Sequence, residues 1–433
     1  MKKIRIVSVL LLAALLLSGC ESIIIPPNPP RQTTEGTQTP DEPHDPAGTI
    51  KDTEPPVTNP PATNPPVTNP PVTNPPVTNP PVTEPPVTEP PHGDGDVLLW
   101  HPTKSGDGLE ATVEKAGTEP AELIRLLGSA GVIPKRTEVI SCKLSSNGRK
   151  LTLDLSSDFA SFIKEKTPAE SMLAVGSVVN TFLAATGAET VTLTAGGAVI
   201  PSEGKLYDRE LPFFDLTEHE AVDLKKGKYV SITFDDGPHS SITVKIAEKL
   251  REKGARATFF VVGNRVNGKT AAAMQYAAIE GSEIAIHGYT HTVKYSKCTD
   301  EEYKEELSLT DAVIRKYVPG PVTLMRPIGG SILKERIASC PYTVINWNVD
   351  SEDWKNKSHK TPEETEANIE TTVNNVKAQV KNGSIILMHE IYDNSYEAFC
   401  RIIDWLYEEG YEVVTVSELL GSKCVPGVRY FNA

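Results

Sequence analysis

Two adjacent carboxylates follow an apolar run in the segment Thr233-Phe234-Asp235-Asp236-Gly237-Pro238. On an extended chain, neighbouring side chains point to opposite faces, so Asp235 and Asp236 can have different functions. One could bind a metal ion while the other accepts or donates a proton. Gly237-Pro238 forces a turn directly after them. Taken alone, the tetrapeptide Asp-Asp-Gly-Pro is also common as a solvated turn.

Histidines also follow apolar runs, at two places in the sequence. His287 and His291 are four residues apart after a second apolar run. If this segment takes a helical turn, the two imidazoles share one face and can bind the same metal ion. A pair at this spacing also arises by chance. His389 ends another apolar run, and acidic residues are available to pair with it.

These side chains all follow strand-like segments between about residues 228 and 421. About seven such segments alternate with helical stretches, and Thr299 with Glu302 forms the capping signal of one helix. Repeated βα units predict a parallel sheet, closed or nearly closed as a barrel, with its site where strands end. The predicted fold class is α/β: a distorted (β/α) barrel of about seven strands, preceded by a smaller α+β domain.

The polar segments together resemble the NodB-type polysaccharide deacetylases, carbohydrate esterase family four. Five motifs of that family occur here in the family's order. The matching positions are Thr233–Pro238, His287 with His291, Arg326 and Pro327 with Gly330, Trp347 with Asp350 and Trp354, and Leu387 with His389. Each motif alone is weak, and their shared order and spacing make the resemblance specific.

The resemblance implies that Asp236, His287 and His291 bind a metal ion. Three protein ligands leave coordination positions open for water and substrate, as catalytic zinc sites require. Their nitrogen and oxygen donors suit Zn²⁺, and they also accept Co²⁺ or Ni²⁺. The expected cofactor is therefore a divalent metal ion, with Zn²⁺ favoured.

The resemblance also implies an acid and a base. Asp235 would be the general base that takes a proton from the attacking water, and Arg326 would orient it and keep it ionised. His389 would be the general acid that protonates the leaving amine, with Asp350 as its charge partner. Trp354 would line the sugar groove.

Two positions depart from the family's pattern. The family usually has Ser or Thr where this chain has Gly288, so a side chain expected to support the loop is missing. The family usually has an aromatic residue where this chain has Gly329. A wall of the substrate groove is then lost, while a backbone N–H near Gly329 can still stabilise an oxyanion. We expect weaker metal binding and an unusual groove, with the chemistry retained.

The region at residues 94–210 has the pattern of a small α+β domain, and the catalytic domain is placed at residues 225–424. Leu153–Ser156, the helix after it and Val191–Leu193 resemble the GerMN domain of sporulation and spore-germination proteins. His101 is the only histidine of this first region, and no pattern of metal ligands or nucleophiles is present. A spacer or binding module is expected there.

The first 20 residues have a basic start and an apolar run too short to span a bilayer, as in a signal peptide. The run ends in Leu17-Ser18-Gly19-Cys20, which resembles the bacterial lipobox. This implies lipidation of Cys20 and an extracytoplasmic protein anchored to the cell membrane. Residues 21–93 form a Pro/Thr-rich segment in which Pro-Pro recurs from Pro55 to Pro91, and this pattern predicts an extended polyproline linker.

Composition limits the possible partners. The formal net charge is −14 and no basic patch stands out, which argues against nucleic acid. None of the cysteines after Cys20 belongs to a CxxC pair, so a thiolate zinc site is not expected. The sequence assigns neither disulfides nor an oligomeric state.

These features predict a metal-dependent hydrolase that removes N-acetyl groups from peptidoglycan, at N-acetylglucosamine or N-acetylmuramic acid units. The lipobox, the linker and the germination-type region favour a wall polymer over dietary polysaccharide. One alternative is a deacetylase of xylan or chitin-type polymers, including O-acetyl groups. Another is a wall-binding lipoprotein that has lost its activity.

Overall fold

The computed structural model describes residues 96–357 and 360–433, and all of these belong to one compact unit. The predicted signal peptide, Cys20 and the Pro-rich linker lie outside the described residues. The strands are β1 Asp96–Pro102, β2 Leu109–Lys115, β3 Val139–Leu144, β4 Lys150–Leu155, β5 Thr190–Ala195, β6 Ala198–Val199, β7 Lys228–Asp235, β8 Thr258–Val262, β9 Glu283–Gly288, β10 Leu324–Met325, β11 Thr343–Ile345, β12 Val349–Asp350, β13 Ile385–His389, β14 Tyr411–Val413 and β15 Arg429–Tyr430. The helices are α1 Pro120–Ser129, α2 Ser157–Lys164, α3 Pro168–Thr186, α4 Ile242–Glu252, α5 Gly268–Ile279, α6 Asp300–Tyr317, α7 Lys334–Ala338, α8 Pro362–Gln379, α9 Asp393–Glu408 and α10 Val416–Leu420.

A curled sheet of 9 strands forms the C-terminal region, residues 225–433. Its main path is β12-β13-β7-β8-β9-β10-β11-β15, and β14 pairs with β7 beside this path. Neighbouring strands are parallel, as βα repeats require. The central strand β7 is buried from Val230 to Asp235, as expected for an interior strand of a parallel sheet. The α/β fold class predicted from the sequence is confirmed.

The strand count differs from the prediction at the closing edge of this sheet. The apolar run from Thr343 to Val349 forms β11 and β12 instead of one strand. The chain changes partner between them, because Asn346 N donates to Tyr430 O at 2.8 Å and Asn348 N donates to Ile385 O at 3.2 Å. The final residues then fill the opening between β11 and β13, where Ala433 N donates to Gly383 O at 2.9 Å.

The N-terminal region, residues 96–210, is a smaller α+β arrangement. It contains the antiparallel pair β1-β2 and the sheet β3-β4-β5-β6, in which β4 and β5 are parallel. Helix α3 packs among these strands and begins with a capping box between Thr167 and Glu170. It is long and apolar enough to span a membrane, but 72% of its apolar window is buried inside the fold, which is typical of a core helix.

One apolar core runs through both regions. Gly176 of α3 permits this packing, since a Cβ there would lie 2.7 Å from the ring of Phe214. Phe214 is fully buried, and its backbone N and O bond the side chain of Asn180 at 2.7 and 2.9 Å. On the other side, Asp215 N donates to Ile279 O at 2.8 Å, so the connecting segment joins α3 to α5.

Candidate active site

The predicted site residues converge at the carboxyl ends of adjacent parallel strands. Asp235 ends β7, His389 ends β13, and the two residues are direct partners in the register of these strands. His287 lies near the end of β9, and Arg326 follows β10 directly. This is the end of the sheet at which barrels of βα units place their catalytic residues.

Asp236, His287 and His291 form a cluster that fits a divalent metal ion. Their ligand atoms all lie within 4.8 Å of one another. The buried Oδ1 of Asp236 receives no hydrogen bond of acceptable geometry from the described residues, although His291 Nε2 lies 2.7 Å away. Short contacts without hydrogen-bond geometry are expected where ligands point at a common position. One carboxylate and two imidazoles are a donor set that zinc accepts.

The tautomer of His287 is fixed by its surroundings. His287 Nδ1 lies 3.0 Å from the backbone carbonyl of Arg326, which can only accept, so Nδ1 carries the proton. Nε2 is left with its lone pair facing Asp236. Burial lowers the pKa of His287, outweighing the charges of Asp235 and Asp236, and so favours the neutral imidazole that metal binding needs.

The carboxyl of Asp236 is also in its metal-binding state. Burial acts to raise its pKa, but the adjacent imidazole of His291 and the charges of His287, His291 and His389 outweigh burial. The pKa of Asp236 therefore lies well below its ordinary value, and the group is ionised at neutral pH.

The segment after β9 does not take the helical turn that would place both histidines on one face. β9 ends at Gly288, whose φ is +106°, and His291 has a φ of +61°. Asp236 also lies in the left-handed region, with a φ of +71°. Such conformations cost about 1–3 kcal/mol each in non-glycine residues and concentrate at functional sites. Irregular loops, and not a helix face, therefore bring the three ligands together.

Asp235 and Arg326 form a buried pair beside this cluster. Arg326 is fully buried, and its Nη1 donates to Asp235 Oδ1 and to Thr233 Oγ1, each at 2.7 Å. The carbonyls of Ile345 and Asn346 accept its other N–H groups at 3.3 and 3.2 Å. The guanidinium thus makes four hydrogen bonds, and the one to Asp235 orients that carboxylate; the catalytic roles of both residues stay a prediction.

The predicted partner of His389 is wrong. Asp353, not Asp350, accepts from His389 Nδ1 at 2.8 Å, and its other oxygen accepts from His389 N at 2.8 Å. Asp353 is 1% exposed, and its Oδ2 also accepts from Ser395 Oγ at 2.6 Å. Asp350 instead accepts from the backbone N of Glu352 at 2.9 Å, because it lies within β12 and turns its carboxylate onto the following loop.

The pKa of His389 suits a general acid. Burial acts to lower it, but the charge and hydrogen bond of Asp353 outweigh burial and raise the pKa of His389 to about 9. Its Nδ1 donates to Asp353, so Nε2 is the atom that can give a proton to a substrate. The imidazolium form therefore predominates at neutral pH.

Glu390 is a buried acidic residue that sequence reasoning missed. It is fully buried against Gly237, where a Cβ would lie 1.6 Å from its Oε1, so residue 237 must be glycine. The hydroxyl of Thr243 donates to its Oε2. Burial, with the charges of Asp235 and Asp236, raises the pKa of Glu390 to about 8. The sequence signal that could have identified Glu390 is its position directly after His389.

The two predicted substrate-binding residues lie on open surfaces. Gly329 has a φ of +61°, and a Cβ there would meet no atom within 4 Å, so this position forms no wall. The side chain of Trp354 is 44% exposed directly after Asp353. Both positions are accessible to a polymer, and their contacts with sugar stay a prediction.

The cysteines take no part in this site. The described cysteines, Cys142, Cys298, Cys340, Cys400 and Cys424, are free thiols. Cys20, the predicted lipidation site, lies outside the described residues.

Two family matches cover the two regions. Residues 223–345 match the family described as polysaccharide deacetylase. Residues 93–200 match the family described as sporulation and spore germination.

Curated relatives match the C-terminal region at moderate identity. The peptidoglycan-N-acetylglucosamine deacetylase PgdA of Listeria monocytogenes is 32% identical over 215 residues, covering 49% of this chain and 43% of that protein. The peptidoglycan-N-acetylmuramic acid deacetylase PdaC of Bacillus subtilis is 34% identical over 204 residues, 47% of this chain and 41% of that protein. A peptidoglycan-N-acetylglucosamine deacetylase of Bacillus cereus is 33% identical over 204 residues, 45% of this chain and 90% of that protein. The match therefore spans less than half of the first two relatives and nearly the whole of the third.

Proposed function

The chain belongs to the polysaccharide deacetylase family, and we propose that it is a metal-dependent hydrolase that removes N-acetyl groups from peptidoglycan. The observation that carries the proposal is the presence of an oriented base, an oriented acid and a ligand cluster around one point. Asp235 pairs with Arg326 at 2.7 Å, and His389 pairs with Asp353 at 2.8 Å. The cluster of Asp236 with the two histidines lies beside both pairs.

Amide hydrolysis needs each of these parts. A divalent cation held by Asp236, His287 and His291 would lower the pKa of water and stabilise the developing oxyanion. Asp235 accepts a proton from the attacking water, and the hydrogen bond from Arg326 orients its carboxylate. His389 donates a proton from Nε2 to the leaving nitrogen, and Asp353 stabilises the imidazolium before transfer. Without that proton an amine is a poor leaving group.

The proposed substrate is an N-acetylated wall glycan. The relatives in Listeria and Bacillus are named for N-acetylglucosamine or N-acetylmuramic acid in peptidoglycan, and both sugars carry the amide that this site would attack. The lipobox at Cys20 and the Pro-rich segment after it favour a protein tethered to the membrane beneath the wall. Anchoring and location are part of this proposal.

The test uses a soluble fragment, residues 93–433. We would strip it with chelator, restore Zn²⁺ or Co²⁺, and measure acetate release from peptidoglycan, N-acetylglucosamine oligomers and acetylxylan. We expect metal-dependent release, greatest from peptidoglycan. Preference for acetylxylan would instead favour an ester-cleaving enzyme.

A variant and a matched control complete this test. Asp236→Ala should abolish acetate release while the protein stays folded, because the cluster loses its only carboxylate. Glu220→Ala, at an exposed position, should leave release unchanged. Undiminished release by the Asp236→Ala protein would refute the proposed mechanism. Absence of release from every substrate by folded, zinc-loaded protein would instead favour a wall-binding protein.

A further inference from the structure

The loop between the two histidine ligands contacts a carboxylate that belongs to none of the family's motifs. Glu306 lies on α6, and its Oε2 accepts from Tyr289 N at 2.6 Å and from Thr290 N at 3.0 Å. Its Oε1 accepts from Thr290 Oγ1 at 2.6 Å. We propose that Glu306 is a positioning residue, which fixes this loop so that His287 and His291 face the same metal ion. The inference rests on the metal site of the proposed function.

The hydrogen bonds of Glu306 lie where they can fix the positions of the two histidine side chains. Tyr289 and Thr290 lie between the two histidines, and Glu306 accepts from both of their backbone N–H groups and from the Thr290 hydroxyl. Glu306 is 5% exposed, so water competes little for these bonds. Three short hydrogen bonds onto one carboxyl group leave the loop little freedom to change its path. Such a contact can hold His291 in its left-handed backbone conformation, φ +61°, which is otherwise unfavourable.

Helix α6 is a rigid base for this contact. It starts with a capping box between Thr299 and Glu302 and buries Leu307 and Ile314 in the core. At its far end, Tyr317 O accepts from the buried side chain of Gln275 on α5 at 2.9 Å. Because α6 is held in place, the carboxylate of Glu306 can keep the loop after β9 in one position.

Gly288 explains why a side chain from another element takes this role. A Cβ at Gly288 would lie 2.7 Å from the Tyr295 hydroxyl and 3.1 Å from Glu306 Oε2. Its φ of +106° is also unfavourable for any residue with a side chain. The space beside the first histidine is therefore occupied by Tyr295 and Glu306. A serine at 288, the residue type usual in the family, would displace the contact and not strengthen it.

The test measures zinc affinity directly. Metal-free protein, residues 93–433, would be titrated with Zn²⁺ against a chromogenic chelator, with no substrate present. We expect Glu306→Ala to weaken zinc binding about tenfold or more, as loss of a residue that orients ligands typically does. Glu306→Gln should weaken it less, because an amide oxygen can still accept from the two backbone N–H groups. Gly288→Ser should weaken it as well.

Controls separate positioning from general stability. Glu305→Gln changes the exposed neighbour on the same helix and should leave zinc affinity unchanged. Thermal unfolding of the metal-free proteins shows whether each variant is folded. If Glu306→Ala does not fold, Thr290→Val removes one of the three bonds and should weaken zinc binding by a smaller factor. Excess Zn²⁺ should restore most acetate release to the folded variants, since Glu306 acts through the ligands.

The outcomes are distinguishable from those of the proposed function. Zinc affinity within twofold of the unsubstituted protein in folded Glu306 variants would overturn the positioning role, and so would an equal loss in Glu305→Gln. Failure of the unsubstituted protein to bind Zn²⁺ would also overturn it. Zinc binding that depends on Glu306, without any acetate release, would refute only the proposed activity.

Discussion

Asp235 and Asp236 are the same residue type at adjacent positions, and their surroundings give them different roles. Asp235 accepts a hydrogen bond from the buried guanidinium of Arg326, which orients its carboxylate. Asp236 faces two imidazoles and has a buried oxygen without a suitable hydrogen bond. A carboxylate with a fixed donor suits proton transfer, and one with an open lone pair suits metal binding.

The first prediction concerns Asp353. Replacing it by Asn removes the charge that raises the pKa of His389 to about 9, and burial alone lowers the pKa of a histidine. A general acid must be protonated, so activity should be lost at lower pH than in the unsubstituted protein. We expect the alkaline limb of the kcat/KM profile to move down by about one pH unit or more, and the rate at pH 8 to fall about tenfold or more.

Asp350→Asn is the matched control for this prediction. It removes the same charge from the same loop, but Asp350 bonds the backbone of Glu352 and not His389. Its pH profile should coincide with that of the unsubstituted protein when both carry the same metal. If Asp350→Asn moves the alkaline limb and Asp353→Asn does not, the assignment of the charge partner from this structure is wrong.

Sequence reasoning reached the site where residue type and spacing carry the information. The strand ends indicated where the polar residues meet, and the family resemblance implied that Asp236, His287 and His291 are the ligands. The choice between Asp350 and Asp353 did not, because both lie in one acidic segment and only the three-dimensional path shows which is buried beside His389. The contacts of Glu306 with the loop after β9 also join residues that are distant in sequence, which no local pattern records.

Among the elements, strands with long apolar runs were the predictable ones. β7, β8 and β9 are continuous buried runs of the kind that indicates a strand in a sequence. β15 was not predicted, because a strand of two residues is too short to show an alternating apolar pattern. The helical turn that would place His287 and His291 on one face does not form, and spacing does not encode the left-handed φ of His291.

β15 supports a prediction at the scale of an element. Removing residues 429–433 deletes two hydrogen bonds. Ala433 N no longer donates to Gly383 O, and Asn346 N no longer donates to Tyr430 O. It also exposes the edge of β11. At about 1 kcal/mol for each net hydrogen bond, we expect the free energy of unfolding to fall by about 2–3 kcal/mol.

Activity should fall together with stability in this truncated protein. The carbonyls of Ile345 and Asn346, at the end of β11, accept from Arg326, which orients the base Asp235. Denaturant unfolding and acetate release measure the two effects. Phe431→Ser is the control, since this side chain is 44% exposed and the backbone ladder is kept. Unchanged stability after truncation would show that the sheet does not need β15 for closure.

At the scale of the whole molecule, the apolar core that the two regions share has a thermodynamic consequence. The apolar core that passes from α3 through Phe214 to α5 includes residues from both segments that match a family. Gln275 of α5 is 2% exposed, and Tyr317 Oη donates to Glu203 of the N-terminal region at 2.9 Å. Regions joined in this way should unfold together, because neither can open without exposing the other's apolar surface.

We therefore expect one cooperative transition in calorimetry of metal-free residues 93–433, with equal calorimetric and van't Hoff enthalpies. Asn180→Ala should lower the midpoint of that single transition, because the buried N and O of Phe214 lose their partner at about 1–3 kcal/mol for each group. Asn147→Ala, at a surface turn, should lower it less. If two transitions appear and Asn180→Ala shifts only one of them, the N-terminal region is an independent module. A single shifted transition would mean that the N-terminal region is part of the scaffold on which α5, α6 and the loop between His287 and His291 depend.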